Sequence, residues 1–173
     1  MTSVSHTTRI PTLTTARLTL RPLRVSDYPA YLEIIASPRS KYMGGPYEGW
    51  AAWGMFCHEI ALWELFGHGG LSIERRSDGA WLGVVEINDG PIFPEKELGW
   101  MLAEGGEGQG YATEAAAALR DWAFTRLRLT TPVSYCDPEN GRSIAVAKRL
   151  GGVLDDVAPR QDPQDLVFRY EPA

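Results

Sequence analysis

Residues 105–113 read Gly-Gly-Glu-Gly-Gln-Gly-Tyr-Ala-Thr, four glycines leading straight into a helical pattern. Glycine has no Cβ, so such a loop turns tightly and lets a ligand approach the main chain. The first amides of the helix that follows have no partner inside the helix and point into the positive end of its dipole. Loop and helix start together make an anion site, with the Thr113 hydroxyl as a further donor. The dipole supplies only about 0.3–1 kcal/mol, so several amides must act together. The spacing also narrows the choice of anion. No Lys-Ser/Thr pair closes the loop as in nucleoside triphosphate sites, and Tyr111 stands where a dinucleotide fingerprint needs glycine. A glycine-rich turn that binds nothing is the plain alternative.

Other residue types point to chemistry less strongly. His6, His58 and His68 have no ligand spacing with Cys, Asp or Glu, which argues for no metal. Cys57 and Cys136 are too few for a disulfide framework and read as buried thiols in a reducing compartment. Asn140, just before a helical pattern, and Ser143, in its first turn, suit a helix cap. The formal charge of −5 argues against a nucleic-acid surface and for a cationic or neutral partner. Locally, Arg120, Arg126, Arg128, Arg142, Lys148 and Arg149 offer positive potential in the second half of the chain.

These groups need elements to position them. Alternating residues predict a strand at 12–20, and Ser26 and Asp27 open a helix to about residue 36, stopped by Pro38. Residues 50–66 are apolar on nearly every face and read as a core helix or one wall of an acceptor pocket. Strands at 71–76 and 81–87 flank the turn residues Ser77, Asp78 and Gly79, and a further strand covers 97–102. An amphipathic helix at 112–127 follows the glycine loop. Then come a strand at 133–136, a helix at 141–150 closed by Gly151 and Gly152, and strands at 153–157 and 166–170. The pattern is α/β with a sheet that is mostly antiparallel at its start. A chain of 173 residues, 44% of them hydrophobic, is the size of one domain, expected over 12–173 after a flexible segment at 1–11. No run approaches the roughly 20 apolar residues of a membrane span, and the start lacks a signal peptide, so a cytoplasmic location is expected.

Gly110 and Ala112 fit the last two fixed positions of the motif [Arg/Gln]-x-x-Gly-x-[Gly/Ala], and GQGYATEA resembles the cofactor motif of the GNAT superfamily of N-acetyltransferases. ELGWML resembles that family's fourth strand, PENGRSIAVAKRLGG its second motif and TARLTLRPLRVSD its first strand, so the resemblance covers most of the chain. It is nearest to the branch containing ribosomal-protein N-terminal (alanine) acetyltransferases.

The resemblance implies a mixed, mainly antiparallel seven-stranded sheet flanked by helices, with a splay between strands 4 and 5. It implies acetyl-CoA as co-substrate, without metal, its pyrophosphate on the amides of Gln109, Gly110, Tyr111, Ala112 and Thr113. The pantetheine arm would run along Met101 and Leu102 toward Asn140, with a backbone amide near Met101 facing the oxyanion. A primary amine, on a protein N-terminus or a small molecule, would attack the thioester directly. Glu97 is the implied base, with Glu86 as second choice. Many members carry a tyrosine seven residues after this asparagine; here Ala147 stands there, which leaves Ser143 or a water to protonate the thiolate. Glu107 occupies the Arg/Gln position of the motif and is expected to face solvent. The alternative is a non-catalytic acyl-CoA-binding module, and the apolar helix and terminal strands offer surface for a homodimer.

Overall fold

Residues 9–172 are described by the computed structural model, so most of the segment expected to be flexible, residues 1–8, lies outside the described residues. The elements run β1 (Leu13–Thr14), β2 (Leu18–Pro22), α1 (Tyr28–Ile35), α2 (Gly49–Phe66), β3 (Gly70–Arg75), β4 (Trp81–Asn88) and β5 (Glu97–Leu102). After the glycine loop come α3 (Tyr111–Trp122), β6 (Val133–Cys136), α4 (Gly141–Arg149), β7 (Val153–Leu154) and β8 (Leu166–Arg169). All strands join one sheet in the order β1-β2-β3-β4-β5-β6-β8-β7.

Neighbours are antiparallel except β5 and β6, which are parallel and share the single register pair Glu97↔Val133. Beyond that pair the two strands part. The expected splay is therefore present, between β5 and β6. The sheet has eight strands among the described residues, not seven, because the stretch expected as one strand at 12–20 is broken. Thr15 turns the chain there, its amide donating to the Leu18 carbonyl (2.9 Å) and its hydroxyl oxygen accepting from the Leu18 amide (2.9 Å). At the closed end of the splay, Ser134 Oγ donates to the Leu98 carbonyl (2.5 Å) and accepts from the Tyr170 hydroxyl (3.0 Å).

The period of two along each strand gives the sheet two different faces. Leu20, Leu71, Ile73, Val85, Ile87 and Leu98 are buried in one cluster with Ala115, Ala116 and Leu119 of α3 and Val146 and Ala147 of α4. Val84 and Met101 point the other way and pack with Tyr31, Ile34 and Ile35 of α1 and Phe56 of α2. On this second face Arg21 and Asp27 form a two-pronged buried ion pair at 2.8 and 2.9 Å. Asp27 also accepts from Ser72 Oγ (2.8 Å) and the Arg24 amide (2.9 Å), which fixes the start of α1 to the sheet.

Helix α3 ends at Trp122, short of the expected 127, in a wider turn over Ala123–Leu127 closed by Arg128 at φ 55°. Strand β7 stops at Leu154: the Asp155 amide still donates to the Val167 carbonyl (2.8 Å), but its carboxylate then accepts from the Val157 amide (3.2 Å) and Arg169 Nε (2.7 Å) in a turn. Among the described residues, no helix is long and apolar enough to cross a membrane.

Candidate active site

At the start of α3, Gly110 has φ 80°, a left-handed conformation that favours glycine. The first bond of the helix is donated by the Glu114 amide to the Gly110 carbonyl (3.1 Å), which leaves the amides of residues 111–113 for a ligand. Thr113 Oγ1 is buried beside them and has no partner among the described residues. Tyr111 and Ala112 turn their side chains into the core and offer main chain only. Gln109 spends its side-chain amide inside the loop, donating to the Gly105 carbonyl (3.0 Å). Glu114 braces the whole from below: it accepts from Thr15 Oγ1 (2.6 Å), the Arg17 amide (2.9 Å) and Arg17 Nε (2.6 Å).

Glu107 does not simply face solvent, as expected from its charge. Its carboxylate bridges Arg39, from the segment between α1 and α2, and Arg142, in the first turn of α4 (2.7 Å to Arg142). Two cations converging on Glu107 explain how a carboxylate is accommodated in this loop. Tyr42 adds a second tie from the same segment, its hydroxyl donating to the Glu139 carbonyl (3.3 Å). Asn140 caps α4 through Oδ1, which accepts from the Ser143 amide (3.2 Å), the role its position suggested. Ser143 is half-buried in that first turn.

The register of β5 sorts out which main-chain amides near Met101 are free. The Ala103 amide donates to the Leu82 carbonyl (2.8 Å), and Met101 pairs with Val84 two residues earlier. In an antiparallel ladder main-chain groups alternate in direction. The amides of Ala103, Met101 and Gly99 therefore point to β4, whereas those of Leu102 and Trp100 point to the opening toward β6. The carbonyls agree: Leu98 and Leu102 accept from Ser134 and from Arg39 (3.3 Å) on that side. The free amides beside the splay belong to Trp100 and Leu102, not Met101, whose side chain fills the core under α1 and α2.

Glu97, Gly99 and Met101 share the α1/α2 face with Val84, Glu86 and Asn88. Burial pushes the Glu97 carboxyl up to about 7, against hydrogen bonds from the Asn88 side chain and the Tyr135 amide of β6 that favour its charged form. Asn88 Nδ2 lies 3.5 Å from Glu97 Oε2. Burial also raises Glu86, with the neighbouring carboxyls of Glu59 and Glu97 adding repulsion. Glu59, from α2, is 6% exposed. Its burial, with Glu97 nearby, lifts its carboxyl to about 8.

Sequence reasoning missed Glu59, Asn88 and Arg39. Helix α2 gives no apolar stripe that would orient Glu59, and the three become neighbours of the site only through long-range contacts. Two further expectations fail on this helix: Trp50 is 87% exposed rather than buried or lining a pocket, and Cys57 is half-buried rather than in the core. Cys136 is buried, which pushes its thiol up to about 12.

An open, mostly antiparallel sheet flanked by helices and split beside a glycine loop and a helix start is the fold of the GNAT acyltransferases. The acetyltransferase (GNAT) domain family matches residues 17–153, so the chain belongs to that family and is an acetyltransferase. The acetyltransferase of Agrobacterium tumefaciens strain C58 is similar, with 59% identity, 95% of this chain and 96% of that one covered, and a TM-score of 0.92. The uncharacterized N-acetyltransferase YnaD of Bacillus subtilis (strain 168) is 36% identical over 55 residues, a match that spans 32% of this chain and 32% of that protein's length. RimL, a ribosomal L7/L12 alpha-N-protein acetyltransferase solved in complex with coenzyme A, shares the fold at 20% identity and a TM-score of 0.75, with 93% of this chain and 98% of that one covered.

Proposed function

We propose that this acetyltransferase moves the acetyl group of acetyl-CoA to a primary amine by direct attack, with Glu97 as the base. The observation that carries the reading is the pairing of two unlike features across one splay. On one side stand the unpartnered amides of residues 111–113 and the buried, unpartnered Thr113 hydroxyl. On the other stands a carboxyl raised to about 7.

The chain's own residues suit acetyl-CoA. An unmet hydroxyl and free amides at a helix start fit a pyrophosphate, and Arg39 and Arg142 balance the charge of Glu107 at its edge. The amides of Trp100 and Leu102 are directed at the path of the pantetheine arm and at the thioester carbonyl; one such donor contributes about 3 kcal/mol in other enzymes. Acetyl-CoA supplies the acetyl group: the C–S bond of its thioester breaks as the amine nitrogen forms the new C–N bond, and CoA leaves as the thiolate. An ammonium cannot attack, so Glu97 takes its proton first. Ser143, or a water it holds, returns a proton to the sulfur, since Ala147 is fully buried in the core and has no acidic group to offer.

A base near neutrality works only when ionised, so kcat/KM rises with pH through about 7 as Glu97 loses its proton. Release of free CoA, followed with an amine panel, tests the assignment. Glu97→Gln lowers turnover by about 10²–10⁴-fold, the usual contribution of a general base, and leaves acetyl-CoA affinity unchanged. Full turnover in the variant would remove Glu97 from the mechanism, and a wild type that neither binds acetyl-CoA nor releases CoA with any amine would overturn the reading.

A further inference from the structure

Beside Glu97, on the α1/α2 face, three buried acceptor atoms have no hydrogen-bond partner among the described residues: Glu59 Oε2, Glu86 Oε2 and Asn88 Oδ1. Buried polar groups are nearly always satisfied, so three orphans in one place ask for a missing partner. Glu59 is 6% and Asn88 8% exposed, which leaves water little access to them.

The backbone makes room for this cluster. Glu86 on β4 lies between Gly70 of β3 and Gly99 of β5. A Cβ on Gly70 would stand 2.6 Å from Glu59 Oε2, and one on Gly99 would stand 2.6 Å from Glu86 Oε1. The two carboxyls thus rest on a floor that only glycine permits. Asn88 comes next along β4 and ties the cluster to Glu97 through Nδ2. His58, the neighbour of Glu59 on α2, has an unpartnered buried Nε2 of its own and is kept neutral by burial, so it adds no positive charge to the cluster.

The chemistry of the missing partner follows from the atoms that wait for it. Once Glu59 and Glu86 are ionised all three oxygens accept, and two carboxylates side by side are matched by a partner that donates and carries positive charge. Among the described residues, no group of three or more His, Cys, Asp or Glu is placed to hold a metal ion. An ammonium has three N–H donors, one for each orphan. The carboxyls run from Glu97 on β5 across Glu86 on β4 to Glu59 above β3, two inter-strand steps or roughly 10 Å. An amine reacting at Glu97 would therefore hold out its other end over Glu86 and Glu59.

We infer that the acceptor carries a second ammonium group, a few methylenes from the reacting amine, bound by Glu59, Glu86 and Asn88. The inference rests on the acetyl-transfer reading of the Glu97 face and names the substrate class of that site. Arrival of the cation ionises carboxyls that burial holds protonated in the empty site, so binding releases protons.

The test is calorimetry on the full chain at pH 7, with and without saturating CoA, using 1,4-diaminobutane and 1-aminobutane as probes. The diamine is expected to bind at least tenfold more tightly, with a heat that varies with the ionisation enthalpy of the buffer. Glu59→Gln and Glu86→Gln should each erase that preference, while Glu97→Gln keeps it. Equal affinity of the two amines for the wild type, no binding of either, or a preference that survives both substitutions would overturn the inference, and the wild-type comparison needs no variant to fold. Diamine preference in a chain that fails to bind CoA would leave the cation site standing and sink the acetyl-transfer reading; CoA binding and acetyl transfer without diamine preference would do the reverse.

Discussion

Asp27 and Glu59 lie on the same face of the sheet and are almost equally buried, at 7% and 6% exposure, yet they are opposites in every other respect. Asp27 accepts from both prongs of Arg21, from Ser72 and from the Arg24 amide. Burial alone would raise its carboxyl, but these donors outweigh it and hold the group below the usual carboxylate range. Glu59 has an unpartnered oxygen and two more carboxyls nearby, and its carboxyl is lifted to about 8. A buried acid with all its partners in the chain is part of the scaffold. One without them, on the reading proposed for Glu59, is set aside for a partner from outside.

The contrast can be broken at either end. The largest expected effect is at Asp27: replacing it by alanine leaves the buried Arg21 with the half-buried Glu74 (2.8 Å) as its one remaining acidic partner, and breaking a buried pair costs about 3–5 kcal/mol, an upper bound here because Glu74 stays. Urea unfolding reads the loss directly, and a cost below about 1 kcal/mol would deny Asp27 its structural role. A smaller effect of opposite sign belongs to Glu59. Its folded-state pKa lies above its unfolded value, so the folded chain binds more protons between about 4.5 and 8 and stability falls as pH rises through that window. Glu59→Gln should flatten this fall and leave the variant more stable than the wild type at pH 8, with little difference at pH 4; thermal melts across pH settle it. The smallest effect is expected at Glu107, whose partner Arg142 is largely exposed. Exposed pairs contribute about 0.2–1 kcal/mol, so Glu107→Gln should shift unfolding by less than about 1 kcal/mol while freeing two cations to tighten acetyl-CoA binding severalfold.

Much of the frame was legible because it is written locally. The glycine loop, the cap at Asn140 and the strand at 97–102 each carry their signal within a few residues, and each lies where the sequence puts it. What escaped was long-range. Glu59 sits in a helix apolar on all sides, where periodicity assigns no face, and its burial depends on Gly70 in the next strand. The partners of Glu107 are 68 and 35 residues away, so its charge read alone suggested solvent. The direction of the Met101 amide is a matter of register, which one strand does not reveal without its neighbour.

Strand β5 has a consequence for how such an enzyme changes over generations. Glu97, Gly99 and Met101 face one way and Leu98, Trp100 and Leu102 the other, so six consecutive codons alternate between the α1/α2 face and the α3/α4 face. None of the three odd positions is free to vary on the proposed reading: Glu97 is the base, a Cβ on Gly99 would stand 2.6 Å from Glu86 Oε1, and Met101 fills the core. New acceptor preferences then have to arise in the helices that cover this face, as at Glu59 of α2, while the strand beneath them stays as it is.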